Sequence, residues 1–560
     1  MTATSRLARH GHRILRWMRA RAQARARVRL AVGALLGLVT AGVALAVGQV
    51  AAIFTGQSSA PVYAVGSAAV NLTPAPVKEY AIAHFGENDK QMLILGILAI
   101  LGVIAMLAGI MALRWFAAGA VLVALFGVTG IVAALQQADS TVTSVLPSAL
   151  GAVVAIAALR LLVRLYQRTA ETKTPRTPRD PELQAQAQVQ PKPPPAGDDA
   201  MPSGGTDRRR FIATTAALAV GSAASAYGAN LIITRRYSVQ AARAAVRIPK
   251  PAYPAPPIPA GVHPNVAGLS SFMTSNDDFY RVDTDLVLPQ VRPDGWTLRI
   301  HGMVDHPLEL SFADLLNRPL REHDMTVSCV SDPVGGPYVG TARWIGADVP
   351  ALLRAAGVQR GADQLLAGSV DGMTIGTPLE SVLDGRRAML AVAMNGEPLP
   401  VAHGFPARML IPGFYGYSSA CKWVTDLYVT TFAQQTAYWV KRGYARIGTM
   451  KTQSRIDVPK PLARLSTGQV TVAGVAWATD RGIADVQVQV DQGPWQQARL
   501  AATDNPDTWR QWTYSWQATA GTHSIQVRAA DDTGQYQTSV RADPIPSGAS
   551  GWDSVVVTVA

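Results

Sequence analysis

Met325-Thr326-Val327-Ser328-Cys329-Val330-Ser331-Asp332-Pro333-Val334-Gly335-Gly336-Pro337 is the stretch on which the reading of this 560-residue chain turns. Its first four residues suit a β-strand. From Cys329 onward Pro and Gly crowd the sequence, so the strand gives way to a tight loop in which a side chain can be presented to a ligand. Gly340-Thr341-Ala342-Arg343-Trp344-Ile345-Gly346 comes next, and the one other cysteine is Cys421. Residue chemistry alone leaves three states open for the two sulfurs: a disulfide between them, inert buried thiols, or a thiolate that holds a metal.

Around this loop, residues 265–455 mix strands with short helices. Trp296-Thr297-Leu298-Arg299-Ile300 alternates with period two and predicts a strand. Ser311 ahead of Phe312-Ala313-Asp314-Leu315-Leu316 is a capping residue and predicts a helix start, and Val349-Pro350-Ala351-Leu352-Leu353 reads similarly. The class is α+β. From 456 to 560 the pattern turns all-β. Val470–Trp477, Val486–Val490, Trp512–Trp516, Ser524–Arg528 and Ser554–Val559 alternate between Asp- and Gly-bearing turns, which suggests a sandwich of immunoglobulin type. The sequence contains no internal repeat.

The first third is different. Apolar runs at about 30–54, 92–113, 115–135 and 146–162 hold no Asp, Glu or Lys and are each near the length that crosses a bilayer, about 20 residues. The region 30–166 is therefore read as four transmembrane helices. Residues 1–29 carry nine arginines and no acid, which keeps that end in the cytoplasm. Arg114 and the cluster Arg164, Arg168, Lys173, Arg176 and Arg179 fall on the same side. This topology also accounts for much of the net charge of +13, so nucleic acid is not expected as a partner, whereas membrane lipid is.

Residues 167–207 form a Pro-rich linker that cannot bury a core and is read as disordered. It ends at Asp207-Arg208-Arg209-Arg210-Phe211-Ile212, ahead of an Ala- and Ser-rich run. Segment 208–233 resembles a twin-arginine export signal, and the plainer reading is a fifth membrane helix. Either reading puts the soluble region beyond residue 233 outside the cytoplasm, giving a multi-pass protein of the cell membrane with that region extracytoplasmic. Ala224-Ser225-Ala226 looks like a cleavage site, but cleavage there would sever the upstream spans, so retention is expected.

Several further motifs occur in order: Asn276-Asp277-Asp278-Phe279-Tyr280-Arg281, Asn395-Gly396-Glu397-Pro398-Leu399-Pro400, His403-Gly404-Phe405-Pro406-Ala407-Arg408, Pro412-Gly413 and Lys422-Trp423. Together with the Cys329 loop they resemble the sulfite oxidase family across about residues 265–560. The resemblance implies a molybdopterin-binding domain at 265–455, with Cys329 as catalytic residue and metal ligand. It implies cofactor contacts from Asn276, Phe279, Tyr280, Arg281, His403, Arg408 and Lys422, and a dimerisation domain at 456–560 that allows a homodimer. The cofactor implied is molybdenum-molybdopterin and the reaction oxygen-atom transfer, with a separate one-electron redox partner. No haem is expected, since the apolar runs contain no histidine and no Cys-x-x-Cys-His occurs.

Departures from the pattern bear on the substrate. Ser331-Asp332-Pro333-Val334 holds no cation, Met373 stands where the family's active-site tyrosine would fall, and Gly416-Tyr417-Ser418-Ser419-Ala420-Cys421 lacks the arginine expected before Lys422. A sulfoxide or N-oxide is thus as good a candidate as sulfite. The alternative reading is a non-enzymatic cell-surface binding protein, tied by a Cys329–Cys421 disulfide and carrying an immunoglobulin-like module.

Overall fold

The computed structural model describes residues 4–560 other than 75–76, 78–79, 81–84, 86–87, 138–139 and 172–203, so most of the expected Pro-rich linker lies outside the described residues. The chain divides into two compact units: Met1–Leu72 with Asn88–Tyr237, and Thr73–Glu87 with Ser238–Ala560.

The first unit is helical: α1 (Thr4–Thr55), α2 (Pro61–Leu72), α3 (Asp89–Ala112), α4 (Phe116–Leu135), α5 (Leu146–Glu171) and α6 (Gly204–Tyr237). All but α2, which sequence reading did not mark, are long and apolar enough to cross a membrane. Small residues let the backbones meet. A Cβ on Gly37 would stand 1.8 Å from the Ala105 carbonyl oxygen, and one on Gly109 2.1 Å from that of Gly33, so only glycine allows α1 and α3 to approach as they do. Leu36, Leu159 and Leu162 are fully buried among the helices, while Leu95, Ile100, Val121, Leu125 and Val153 face outward and exposed.

The second unit opens its regular structure with β1 (Thr297–Gly302), β2 (Leu308–Ser311), β3 (Leu320–Ser328), β4 (Val339–Asp348), β5 (Gln364–Ser369), β6 (Thr374–Pro378), β7 (Met389–Met394), β8 (Glu397–Pro398), β9 (Arg408–Leu410) and β10 (Val424–Thr430). One sheet runs β2-β1-β10-β5-β6; the other runs β3-β4-β7-β8, with β9 paired to β7. Ser311 caps its helix, Phe312–Leu316, through a reciprocal capping box with Asp314. The helix Val349–Ala356 is capped by Asp348 and ends on Gly357 at φ +69°. That helix sends Leu352, Leu353 and Ala356 into a core shared with Leu298, Ile300, Leu365 and Leu390. Each such leucine contributes about 1.5–3 kcal/mol on full burial. Every residue of β7 is buried, so it forms the covered floor on which Arg408 of β9 is laid.

The remaining strands are β11 (Gln453–Val458), β12 (Arg464–Leu465), β13 (Gly468–Trp477), β14 (Ile483–Val490), β15 (Gln496–Gln497), β16 (Arg499–Leu500), β17 (Arg510–Ala518), β18 (Gly521–Asp531) and β19 (Asp553–Val559). They form two sheets, β11-β13-β17-β16 and β12-β19-β18-β14-β15, that share a core of Val472, Val486, Val488, Trp512, Ile525, Val527 and Val557. In β19 burial alternates residue by residue, which is the period-two pattern of a strand with one covered face.

This C-terminal region reaches back onto β3. The Thr326 N–H donates to the Asp507 carbonyl at 2.9 Å, and Trp509 N–H donates to Thr326 Oγ1 at 2.7 Å. His323 Nε2 meets Asp507 Oδ2 at 2.7 Å. Arg455 donates to the Gly336 carbonyl at 2.9 Å. The strand that leads into Cys329 is therefore braced on the side away from its sheet.

Candidate active site

Cys329 comes directly after β3, at the start of the β3–β4 hairpin in which Ser328 pairs with Val339. The loop is locked by its own backbone. Cys329 N–H donates to the Tyr338 carbonyl at 2.9 Å, Asp332 N–H to the Cys329 carbonyl at 3.2 Å, and Gly336 N–H to that of Pro333 at 2.9 Å. Asp332 Oδ1 accepts from Tyr338 N–H at 2.8 Å. Cys329 Sγ lies 2.8 Å from Ser331 Oγ. Burial pushes the thiol pKa up and the Ser331 hydroxyl pulls it down, so a neighbouring cation or metal is what would favour the thiolate.

The sulfur borders a cavity walled by Tyr280, Arg281, Asp283, His403, Arg408 and Lys422 together with Ser331, Asp371, Met373, Tyr417, Trp439 and Tyr444. Arg408 is buried, its Nε has no hydrogen-bond partner, and its guanidinium carbon lies 5.4 Å from the Trp344 ring centroid. Leaving such a donor unsatisfied is costly, so the site is built for an acceptor that reaches it. Arg281 Nε and Lys422 Nζ both donate to the same atom, Asp283 Oδ2, at 2.7 and 2.9 Å. Burial brings the Lys422 pKa down to about 8, against the pull of Asp283. Gly404, at φ +110°, lets the His403 loop close: a Cβ there would stand 3.1 Å from Lys422 Cα and 3.2 Å from Arg408 Cβ.

His403 is 4% exposed. Its Nε2 lies 3.3 Å from the Asn276 carbonyl, which can only accept, so the ring proton sits on Nε2. The ring packs edge-on against Phe279, centroids 5.5 Å apart. Burial first, then Arg408 and Lys422, bring its pKa down to about 3 from 6.5. The unfolded chain therefore takes up a proton between those values that the folded chain refuses, and stability falls as pH drops through that window. Gln at position 403 keeps an N–H for the Asn276 carbonyl and cannot titrate. Thermal unfolding measured from neutral pH down to pH 4 is expected to show a smaller loss of midpoint in His403→Gln than in the parent; equal losses would refute the assignment.

Six of the eight residues expected from sequence meet at this cavity: Tyr280, Arg281, Cys329, His403, Arg408 and Lys422. Two do not line it. Phe279 is an apolar core residue under Trp344 and His403. Asn276 lines a different depression, and its side chain accepts from Asn395 Nδ2 at 3.0 Å. The disulfide of the alternative reading is absent: both cysteines are free. Cys421 is fully buried in the apolar cluster with Met409 and Val424, while Cys329 belongs to the cavity wall. Sequence reading missed Asp283 and Asp371. The alternation Arg281-Val282-Asp283-Thr284-Asp285, which in an extended segment puts all three charges on one side, was the available signal for the first.

Residues 285–439 match the model of the oxidoreductase molybdopterin binding domain. Chicken (Gallus gallus) sulfite oxidase is 29% identical over 315 residues, covering 48% of this chain and 68% of that protein. Human (Homo sapiens) mitochondrial sulfite oxidase is 28% identical, covering 47% of this chain and 56% of its own length, so the chain spans little more than half of that relative. The uncharacterized oxidoreductase YuiH of Bacillus subtilis (strain 168) is 34% identical over 149 residues, which is 27% of this chain and 72% of that protein. The chain belongs to the sulfite oxidase family. It is a molybdenum oxidoreductase with a sulfite-oxidase-like molybdopterin domain, a β-rich C-terminal region and apolar N-terminal helices. The cavity fits the family's cofactor, a phosphorylated pterin dithiolene bearing molybdenum. The orphaned Arg408 Nε and the neighbouring cations Arg281 and Lys422 suit an anionic group, and the Cys329 sulfur is a soft donor at the cavity wall.

Proposed function

We propose that the chain is a membrane-anchored enzyme catalysing oxygen-atom transfer to or from a small sulfur compound, sulfite or a sulfoxide, or an N-oxide, with Cys329 as the protein ligand to molybdenum. The observation that carries this reading is the meeting of the Cys329 sulfur with a buried, partnerless Arg408 donor in one cavity. When bound, the molybdenum cofactor supplies the oxygen transfer and the two-electron redox chemistry. The protein's residues position and screen. Arg408 would hold an anionic oxygen of the pterin, with Lys422 and Arg281 held in place by Asp283. His403, neutral at physiological pH, is oriented by Asn276 and Phe279 and would contact the pterin body. Tyr280 closes the same wall, and the Ser331 hydroxyl fixes the sulfur by a hydrogen bond. Electrons leave or arrive one at a time through a separate redox partner.

The outward-facing apolar residues of α1 and α3–α6 support membrane anchoring, because a surface of that kind is poorly compatible with water. With 1–29 cytoplasmic, spans within 30–166, a cytoplasmic linker at 167–207 and a retained twin-arginine-like helix at 208–233, the catalytic region 265–455 lies outside the cytoplasm. Region 456–560 is then an immunoglobulin-like sandwich suited to pairing two copies. The decisive measurement is molybdenum and pterin content of the detergent-purified full chain from molybdate-fed cells. Metal and pterin in equal amounts, stoichiometric with protein, are expected; a folded, metal-free product would overturn the reading.

A further inference from the structure

The small residues that let the apolar helices touch also leave a void among them. On α1, Gly37, Thr40, Ala41 and Ala44 recur at helical spacing along one face, as do Ser148, Gly151, Ala152 and Ala155 on α5. The two helices run antiparallel there: a Cβ on Gly151 would stand 2.7 Å from the Ala44 carbonyl oxygen, and one on Gly48 3.2 Å from that of Pro147. With Ile97 and Ile104 of α3 and Phe126 of α4 they enclose a cavity of about 290 Å³. Ile100 of α3 and Thr129 of α4 line it too and are exposed, so it has a mouth on the side where lipid chains would lie.

None of the described residues lining this cavity carries a charge, so a charged headgroup is excluded. Two of them carry a hydroxyl without a partner. Thr40 Oγ1 and Ser148 Oγ make no hydrogen bond, and the residues are 3% and 4% exposed. Elsewhere in these helices the hydroxyls of Thr129, Thr215 and Thr234 donate to the carbonyl four residues back, which satisfies them without water. A donor left over in hydrocarbon is costly, so the void fits an uncharged, apolar molecule that brings acceptor oxygens.

Spacing narrows the class. From the contact of Gly151 with Ala44, Thr40 lies four residues toward one end of the helices and Ser148 three residues toward the other, so the hydroxyls are about 10 Å apart along the axes at about 1.5 Å per residue. The two carbonyl oxygens of a para-quinone ring are about 5 Å apart, and a hydrogen bond of about 2.8 Å at each brings the span to about 11 Å. The ester carbonyl of a glycerolipid reaches one hydroxyl only and belongs at the headgroup boundary.

We propose that this cavity binds the ring of a long-tailed membrane quinone, with its carbonyl oxygens accepting from Thr40 and Ser148, its face against Phe126 and its tail leaving past Ile100. The proposal rests on the membrane-spanning reading of α1 and α3–α6. It assigns a ligand and not a reaction, because no group in the described wall takes up or releases a proton.

The test uses the full chain, purified in detergent and placed in phosphatidylglycerol nanodiscs, titrated calorimetrically with decylubiquinone. Decylbenzene, which has the tail and a ring but no carbonyl, is the control. Saturable binding of decylubiquinone at about one per chain is expected, with decylbenzene weaker by about tenfold or more. Thr40→Val combined with Ser148→Ala removes both hydroxyls at nearly constant volume; it should weaken decylubiquinone by about tenfold and leave decylbenzene unchanged, while Thr40→Ser keeps the parent affinity. If the double variant does not fold, the comparison of the two probes on the parent decides. Absence of saturable binding, equal affinity for the two probes, or unchanged affinity in a double variant that melts like the parent overturns the proposal and leaves the membrane reading standing. A chain that stays monodisperse without detergent overturns both.

Discussion

Serine at position 329 is expected to lower turnover by at least about a hundredfold and to reduce bound molybdenum, with the fold unchanged. A hydroxyl is a hard donor that stays protonated near neutral pH, whereas a high-valent metal already bound to dithiolene sulfurs favours a soft thiolate. The exchange spares everything else at the position. The backbone bonds that shape the loop, Cys329 N–H to Tyr338 and Asp332 N–H to Cys329, involve no side-chain atom of residue 329. Thermal unfolding should therefore match the parent while dye-coupled activity and metal content fall. Retained activity in Cys329→Ser would remove the thiolate from the mechanism.

The second large effect is expected at Asp283. Its side chain is 3% exposed and accepts from both Arg281 and Lys422. Removing one partner of a buried ion pair leaves its charges uncompensated, at a cost of about 3–5 kcal/mol. In Asp283→Ala the Lys422 pKa should fall below its value of about 8, since Asp283 is what raises it, so Lys422 loses charge near neutral pH. The denaturation midpoint in urea is expected to drop sharply, together with cofactor retention. Adding Lys422→Met, which removes the stranded ammonium, should recover part of the stability and none of the cofactor binding. A double variant no more stable than the single one would speak against the shared ion pair.

Local signals made much of this legible. Ser311 announced its helix because a capping hydroxyl three residues ahead of an acid has one main use, and Ser311 and Asp314 do bond reciprocally. The Pro- and Gly-dense run after Ser328 announced a presented thiol, and the structure fixes it by bonds within the loop. Arg408, His403 and Lys422 emerged from the order of motifs. Charge pairing across the fold left no such mark. Asp283 and Lys422 lie 139 residues apart, and nothing in either neighbourhood points to the other. Phe279 was drawn into the cofactor set by its motif, yet an apolar ring beside Trp344 gains more from the core than from a polar cavity. Helix α2 escaped because its apolar run is short for a crossing and carries no long polar face.

The clamp formed by Arg455 on Gly336 and by Asp507 and Trp509 on Thr326 makes the enzyme indivisible in a practical sense. A catalytic fragment trimmed after residue 455 would keep every group that touches the pocket and lose much of the scaffold that steadies the sulfur-bearing hairpin. Swapping the tail for that of a distant relative would retune the pocket from its far side.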